Sequence, residues 1–212
     1  MTSNQTDFRF ILLATLVALA SAAAGFTLWK MRQDGPPTMT ASLRILPEPR
    51  ALADFSLIDQ DGEKFSIEQL EGLWSLLFFG FTHCPDVCPS TLYDLHRVNE
   101  AVARSGGREA AHQVIFVSVD PERDSPERLK EYAAYFDPDF LAISGSPEQL
   151  AALTRQIGVA YRIEPHEPGS ANYTVDHSAS VMLVDPRGRL HGVFPAPHDA
   201  DKMARDLIAI LN

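Results

Sequence analysis

The chain predicts a mixed α/β domain with a central sheet flanked by helices, and three observations predict it. LWSLLFFGF (Leu73–Phe81) and VIFVSV (Val114–Val119) are continuous apolar runs of strand length, the pattern of strands buried on both faces of a parallel sheet. Helix-opening signals follow both runs. Beyond Gly158 the pattern changes to short strands around a tight turn, Asp185-Pro186-Arg187-Gly188, so an antiparallel hairpin should complete the sheet.

The elements follow in order. Ala53–Ile58 and Lys64–Ser66 flank DQDGE, a hairpin turn signal. After Leu73–Phe81 a helix should run from about Pro89 to Ser105, closed by Gly106-Gly107, with Cys88 near its N-cap and Pro89 at its first position. Ser125 caps a helix with Pro126 at its first position, running to about Phe136. Phe140–Ser144 is a short strand. Ser146-Pro147-Glu148 opens another helix, ending at Gly158. Val159–Ile163, Tyr173–Val175, Ala179–Val184 and Arg189–Phe194 read as strands, and Asp199 caps a last helix to about Leu211. A parallel βαβ unit joined to a hairpin, with helices on both faces, is the thioredoxin-like arrangement; a flavodoxin-like sheet is the alternative.

The N-terminus has another character. Phe10–Trp29 carries no charge and, as a helix, spans about 30 Å, the thickness of a bilayer core. Arg9 flanks it on one side, Lys30 and Arg32 on the other, so flanking cations do not set its orientation. A cleaved signal peptide is the alternative, but the apolar stretch is longer than the usual h-region of about 7–15 residues. The predicted organisation is a short N-terminus (1–9), a transmembrane anchor (10–29), a Pro-rich linker (30–50) and a globular domain (51–212). With 45% hydrophobic and 22% charged residues the chain is not disordered throughout. Its net charge of −10, without a Lys/Arg cluster, argues against nucleic-acid binding.

FTHCPDVCPS holds both cysteines, Cys84 and Cys88. They fall between a strand end and a helix start, at the C-terminal edge of the sheet, where open α/β sheets place ligands. The helix dipole favours thiolates there. A disulfide needs Cβ atoms about 3.5–4.5 Å apart, whereas a metal bridging two sulfurs tolerates a wider pair. Three intervening residues therefore tilt the pair toward metal without excluding a disulfide. An inert staple closing so small a ring would remove little chain entropy.

Among seven histidines, His177 stands just before the strand Ala179–Val184. If that strand runs antiparallel to Leu73–Phe81, His177 begins at the edge that carries the cysteines. His83, His96, His112, His166, His191 and His198 read as surface, loop or helix residues. Asp120 ends the strand VIFVSV at the same edge, with Asp86 and Asp176 nearby; of these, Asp120 is the best placed to orient an imidazole or tune an ion from behind its ligands. Two thiolates and one imidazole suit Cu(I), and Cys₂His also occurs at zinc, so the donor set alone leaves both open.

GFTHCPDVCPSTL, FVSVDPERDSPERLKEYAAYFDP and YTVDHSASVMLVDPRGRLHGVF, in that order, resemble the Sco/SenC copper proteins over about Phe55–Leu211. The resemblance implies a thioredoxin-like fold, Cu(I) and Cu(II) held by Cys84, Cys88 and His177, and Asp120 near the metal. It implies a single-pass anchor with residues 1–9 inside and the domain outside; the short N-terminus, not Arg-rich like a transit peptide, points to the bacterial inner membrane, with residues 1–9 cytoplasmic and the domain in the periplasm. The resemblance implies as partners the CuA site of cytochrome c oxidase subunit II and other periplasmic copper carriers. It leaves two actions open: copper delivery, and reduction of the CuA cysteines by Cys84 and Cys88. A peroxiredoxin-like peroxidase, on a related fold, is a further rival.

Overall fold

The computed structural model describes residues 17–27, 42–105, 112–170 and 172–211. The chain divides into two units, at Thr38/Met39, each described by itself. In the first, residues 17–27 are helical, inside the expected anchor. The rest of that anchor, residues 1–9 and linker residues 30–41 lie outside the described residues. Among the described residues no helix is long and apolar enough to cross a membrane.

The second unit holds the strands β1 (Arg44–Ala51), β2 (Leu57–Asp59), β3 (Lys64–Phe65), β4 (Trp74–Gly80), β5 (His112–Ser118) and β6 (Leu141–Ser144). These are followed by β7 (Tyr161–Ile163), β8 (Val175–His177), β9 (Val181–Val184) and β10 (Arg189–Phe194). Its helices are α1 (Val87–Arg104), α2 (Pro126–Phe136), α3 (Pro147–Ile157) and α4 (Ala200–Leu211). Eight strands form one sheet in the order β1-β10-β9-β4-β5-β6-β2-β3, and β7 and β8 form a separate pair. β4, β5 and β6 are parallel, while β9 runs antiparallel to β4 and β10 to β9. This is a mixed sheet of thioredoxin-like type, and the antiparallel strands against β4 dispose of the flavodoxin-like alternative.

The apolar runs build the core as expected. Leu76, Leu77, Phe78 and Phe79 of β4 and Ile115, Phe116 and Val117 of β5 are wholly buried. Each such side chain contributes about 1.5–3 kcal/mol by leaving water. α1 packs on α4, and α2 on β6. Capping follows the sequence: the Ser125 and Ser146 hydroxyls accept from the backbone N–H of Arg128 and Gln149, and Gly158 closes α3 at φ 84°.

Several boundaries differ from expectation, and three of them bear on the extent of the domain and on the site. The prolines at 47 and 49 suggest an extended linker, yet residues 44–51 are the edge strand β1, paired to β10. Pairing lapses between Ile45 and Arg50, where those prolines sit, and an edge strand tolerates such a gap. Asp206, buried in α4, secures the start of the domain by accepting from the Ser42 hydroxyl and from the Leu43 N–H at 3.0 Å. The domain therefore begins before Ala51. α1 starts two residues earlier than predicted, with Asp86 at the N-cap, Cys88 at the second position and Pro89 at the third. Proline is tolerated throughout a first turn because its missing N–H would have no intrahelical acceptor. Finally, β8 lies two residues later than Tyr173–Val175 and ends on His177.

Candidate metal centre

β4 ends at Gly80, and the chain turns through Phe81–Asp86 into α1. Cys84 lies in this turn, its N–H donating to the Phe81 carbonyl at 3.2 Å. It is partly exposed, whereas Cys88 is fully buried. The Asp86 side chain makes no capping bond and the first turn of α1 holds no acidic residue. Instead the N–H of Cys88 donates to the Cys84 sulfur at 3.4 Å. The sulfur thus occupies the place of a capping oxygen at the positive end of the helix.

Gly80 explains how the second sulfur reaches the site. A Cβ at this position would lie 2.7 Å from Cys88 Sγ and 2.9 Å from the Phe116 ring. Only a residue without a side chain lets that sulfur tuck beneath the end of β4.

The third donor arrives from the opposite direction. β9 runs antiparallel to β4, so the segment before it begins at the cysteine edge, as the sequence requires. His177 pairs with Tyr161 across the β7–β8 hairpin. Its Nδ1 faces the Ser178 carbonyl at 3.2 Å and its Nε2 faces Cys88 Sγ at 3.3 Å. A carbonyl only accepts, so Nδ1 carries the proton of that contact, and Nε2 is the ring nitrogen turned toward the sulfurs. Phe78 and Phe81 hold the ring edge-on, with centroids at 6.1 and 5.9 Å. The donor atoms of Cys84, Cys88 and His177 all lie within 4.8 Å of one another, the one such group among the described residues.

The two sulfurs are unequal. Donation from the Cys88 thiol is the main reason the Cys84 pKa falls from 9.0 to about 3; burial opposes it, and the His177 ring and the N–H groups of Cys88 and Asp86 add to it. Cys88 is raised, because its proton is held by the Cys84 thiolate and because its own charge would be buried. The metal-free pair therefore carries one negative charge, on the outer sulfur.

The carboxylates do not act as expected. The Nδ1 partner of His177 is a carbonyl, while Asp176 pairs with Arg162 at 2.8 Å and Asp86 is exposed. Asp120 is buried, but its carboxylate accepts from Arg123 Nε and from the Tyr173 hydroxyl, both at 2.5 Å. It acts one remove further from the donors than expected. The carboxylate that bonds the cysteine turn is Asp124, a residue the sequence does not single out. Buried, it accepts from the Thr82 N–H at 2.9 Å, the Thr82 hydroxyl at 2.7 Å and the Ser118 hydroxyl at 2.6 Å. Its signal was its place in the same SVDPERD block as Asp120. The other histidines have partners elsewhere: His83 with Thr82, His96 with Asp137, His112 with Asn99, His166 with Glu122, His191 against Trp74 and His198 with the Ala179 carbonyl.

Two sulfurs and an imidazole nitrogen, with no carboxylate among them, form a donor set for a soft or borderline ion. The family model described as SCO1/SenC matches residues 45–212. A Stutzerimonas stutzeri protein described as a candidate copper-binding protein is 37% identical over 172 residues, covering 81% of this chain and 82% of its own. The chain spans only 45% to 65% of several mitochondrial and rickettsial relatives. The solution structure of apo Sco1 from Thermus thermophilus superposes with a TM-score of 0.73 at 39% identity, covering 82% of this chain and 99% of that one. The crystal structure of Arabidopsis thaliana ScoI with copper bound superposes with a TM-score of 0.68 at 34% identity, covering 74% and 96%.

Proposed function

The chain belongs to the SCO1/SenC family, and on that footing we propose that it is a membrane-anchored copper carrier that serves assembly of the CuA site in cytochrome c oxidase subunit II. The observation that carries this reading is the meeting of Cys84, Cys88 and His177 within 4.8 Å. A copper-bound relative of the same fold supports the choice of metal. The uncharged stretch Phe10–Trp29 supports a membrane anchor, and the resemblance and the short N-terminus support a bacterial inner membrane with the domain facing the periplasm.

Copper is the cargo. Binding through both sulfurs requires two thiolates; Cys84 is already ionised, so loading displaces one proton from Cys88. His177 would coordinate through Nε2 while its Nδ1 stays bonded to the Ser178 carbonyl. Cys88 is buried and Cys84 partly exposed, so a recipient's donors would approach from the Cys84 side and take the ion by ligand exchange.

The sulfur asymmetry favours one second reading, a thiol-disulfide reductant. The Cys84 thiolate would attack a partner disulfide, and Cys88 would then give up its proton and displace the partner's second sulfur. Two thiols become one disulfide while one partner disulfide becomes two thiols. Copper stoichiometry of the full chain in detergent separates the readings, wild type against Cys84→Ala, Cys88→Ala and His177→Ala. Carriage predicts one tightly held Cu(I), lost with either cysteine and weakened at least tenfold in His177→Ala. Reduction of oxidised subunit II that survives His177→Ala, in a chain holding no copper tightly, would replace the first reading with the second.

A further inference from the structure

Cys84 and Cys88 on one side, and His177 on the other, reach the site on segments far apart in sequence, and one buried side chain bridges those segments. Arg123 lies in the loop between β5 and α2, with its side chain 8% exposed. Its guanidinium carbon sits 3.6 Å from the centre of the Tyr173 ring and 5.4 Å from that of Phe81. Nε donates to Asp120, and Nη1 donates to the Tyr173 carbonyl at 3.0 Å. The Tyr173 hydroxyl donates to the other oxygen of Asp120.

The two rings lead directly to the metal donors. Phe81 opens the cysteine turn and its carbonyl accepts from the Cys84 N–H. Its ring also meets the His177 imidazole edge-on at 87°. Tyr173 stands four residues before His177, on the approach to β8. The same β5–α2 loop grips the cysteine turn through Asp124 and Thr82, and the hairpin through Glu122, which binds His166 at 2.9 Å and the Gly169 N–H at 2.9 Å.

We infer that Arg123 is a positioning residue for metal capture: its planar cation, held between Phe81 and Tyr173 and forked to Asp120 and the Tyr173 carbonyl, sets His177 against the two sulfurs. The inference rests on the copper-carrier reading. Lysine cannot substitute, because a point charge neither stacks between two rings nor forks to two acceptors. The bonds and ring contacts of Arg123 described above reach no sulfur and no imidazole nitrogen, so its effect on binding should pass through His177.

The test uses the full chain in detergent, Cu(I) alone as the probe and bicinchoninate as the competitor. Arg123→Lys and Tyr173→Leu should each lower Cu(I) affinity at least tenfold and weaken the cross-peaks between the His177 and Phe81 rings in the metal-free protein. The Cys84–Cys88 disulfide should still form and reduce as in wild type. In a His177→Ala background Arg123→Lys should cost less than twofold, because the residue it positions is gone. Unchanged affinity in both single variants, or an equal loss with and without His177, overturns the inference. If the wild type holds no Cu(I) tightly, the copper reading fails instead. Persistence of the ring cross-peaks in both variants then overturns the positioning role by itself.

Discussion

Gly80→Ala tests whether the inner sulfur is seated beneath the end of β4. The added methyl would lie 2.7 Å from Cys88 Sγ and 2.9 Å from Phe116 Cε2. Ordinary carbon contacts sit at about 3.5–4.0 Å, so both neighbours must retreat by about 1 Å. Neither has room: Phe116 and Cys88 are wholly buried, and Phe116 already packs on Phe78 and Tyr132. Overpacking of this kind costs about 1–3 kcal/mol. For a domain of this size each kcal/mol lowers Tm by about 2–4 °C, giving a fall of about 2–12 °C. The displaced sulfur leaves its contact with His177 Nε2, now 3.3 Å, so Cu(I) affinity should drop about tenfold or more. Thermal unfolding of the reduced, metal-free chain measures the first effect and bicinchoninate competition the second. The cycle with Cys88→Ala isolates the cause. With the sulfur removed only the Phe116 contact remains, so Gly80→Ala should cost at least about 0.5 kcal/mol less than in wild type. An unchanged Tm, or an equal cost in both backgrounds, would refute the placement of this sulfur.

Other perturbations address the rest of the site and the domain. Asp124→Ala removes the acceptor for three buried donors and should destabilise the fold by about 3 kcal/mol or more, read by urea denaturation. With a folded-state pKa of about 3 against 9.0 for a free cysteine, Cys84 is deprotonated in the folded chain over a pH range where the unfolded chain keeps its proton. Stability from Cys84 is fully present above pH 9 and is lost as pH falls toward 3; the urea midpoint of the reduced, metal-free wild type should therefore rise from pH 5 to pH 8 more than that of Cys84→Ser. Cys88 is shifted the other way, so its contribution disappears only as pH rises above 9. A chain beginning at Leu52 lacks β1 and the Ser42 and Leu43 donors to buried Asp206; it should lose at least about 3 kcal/mol by thermal circular dichroism, whereas one beginning at Met39 should match the full chain.

Legibility in the sequence followed physical locality. Helix starts at Ser125 and Ser146 and the stop at Gly158 appeared where predicted, because a cap is a bond between residues two to four apart and its parts are adjacent in the chain. β4 and β5 were legible because burial on both faces leaves a continuous apolar run. β1 was not. Its mostly exposed residues and two prolines suit an edge strand and a linker equally well, and only pairing with β10, some 140 residues away, decides between them. The three donors were legible at two levels: the cysteines from their place at a strand–helix junction, and His177 from its position before an antiparallel strand, sharpened by the resemblance to the Sco/SenC proteins. Asp120 was legible at the sheet edge, but its bonds to Arg123 and Tyr173 were not, because residue position fixes the edge and leaves the direction of the side chain open.

The residues missed at the site share one property. Asp124, Thr82, Phe81, Arg123 and Tyr173 supply no donor atom; they connect segments that do. The cysteine turn and the histidine hairpin have no common secondary structure, since β7 and β8 stand outside the main sheet and β4 lies within it. Ligand convergence therefore cannot come from sheet pairing alone. It needs a third segment bonded to both, and the β5–α2 loop is that segment. Asp124 faces one side of it; Arg123, Asp120 and Glu122 face the other. A substitution in this loop should accordingly separate two quantities that a change at a cysteine alters together. The five-residue Cys84–Cys88 unit keeps its redox chemistry, because both sulfurs belong to one turn, while metal affinity falls with the register of His177. On the proposed function, copper carriage and dithiol chemistry would share their sulfurs, and the loop is where they would become separable.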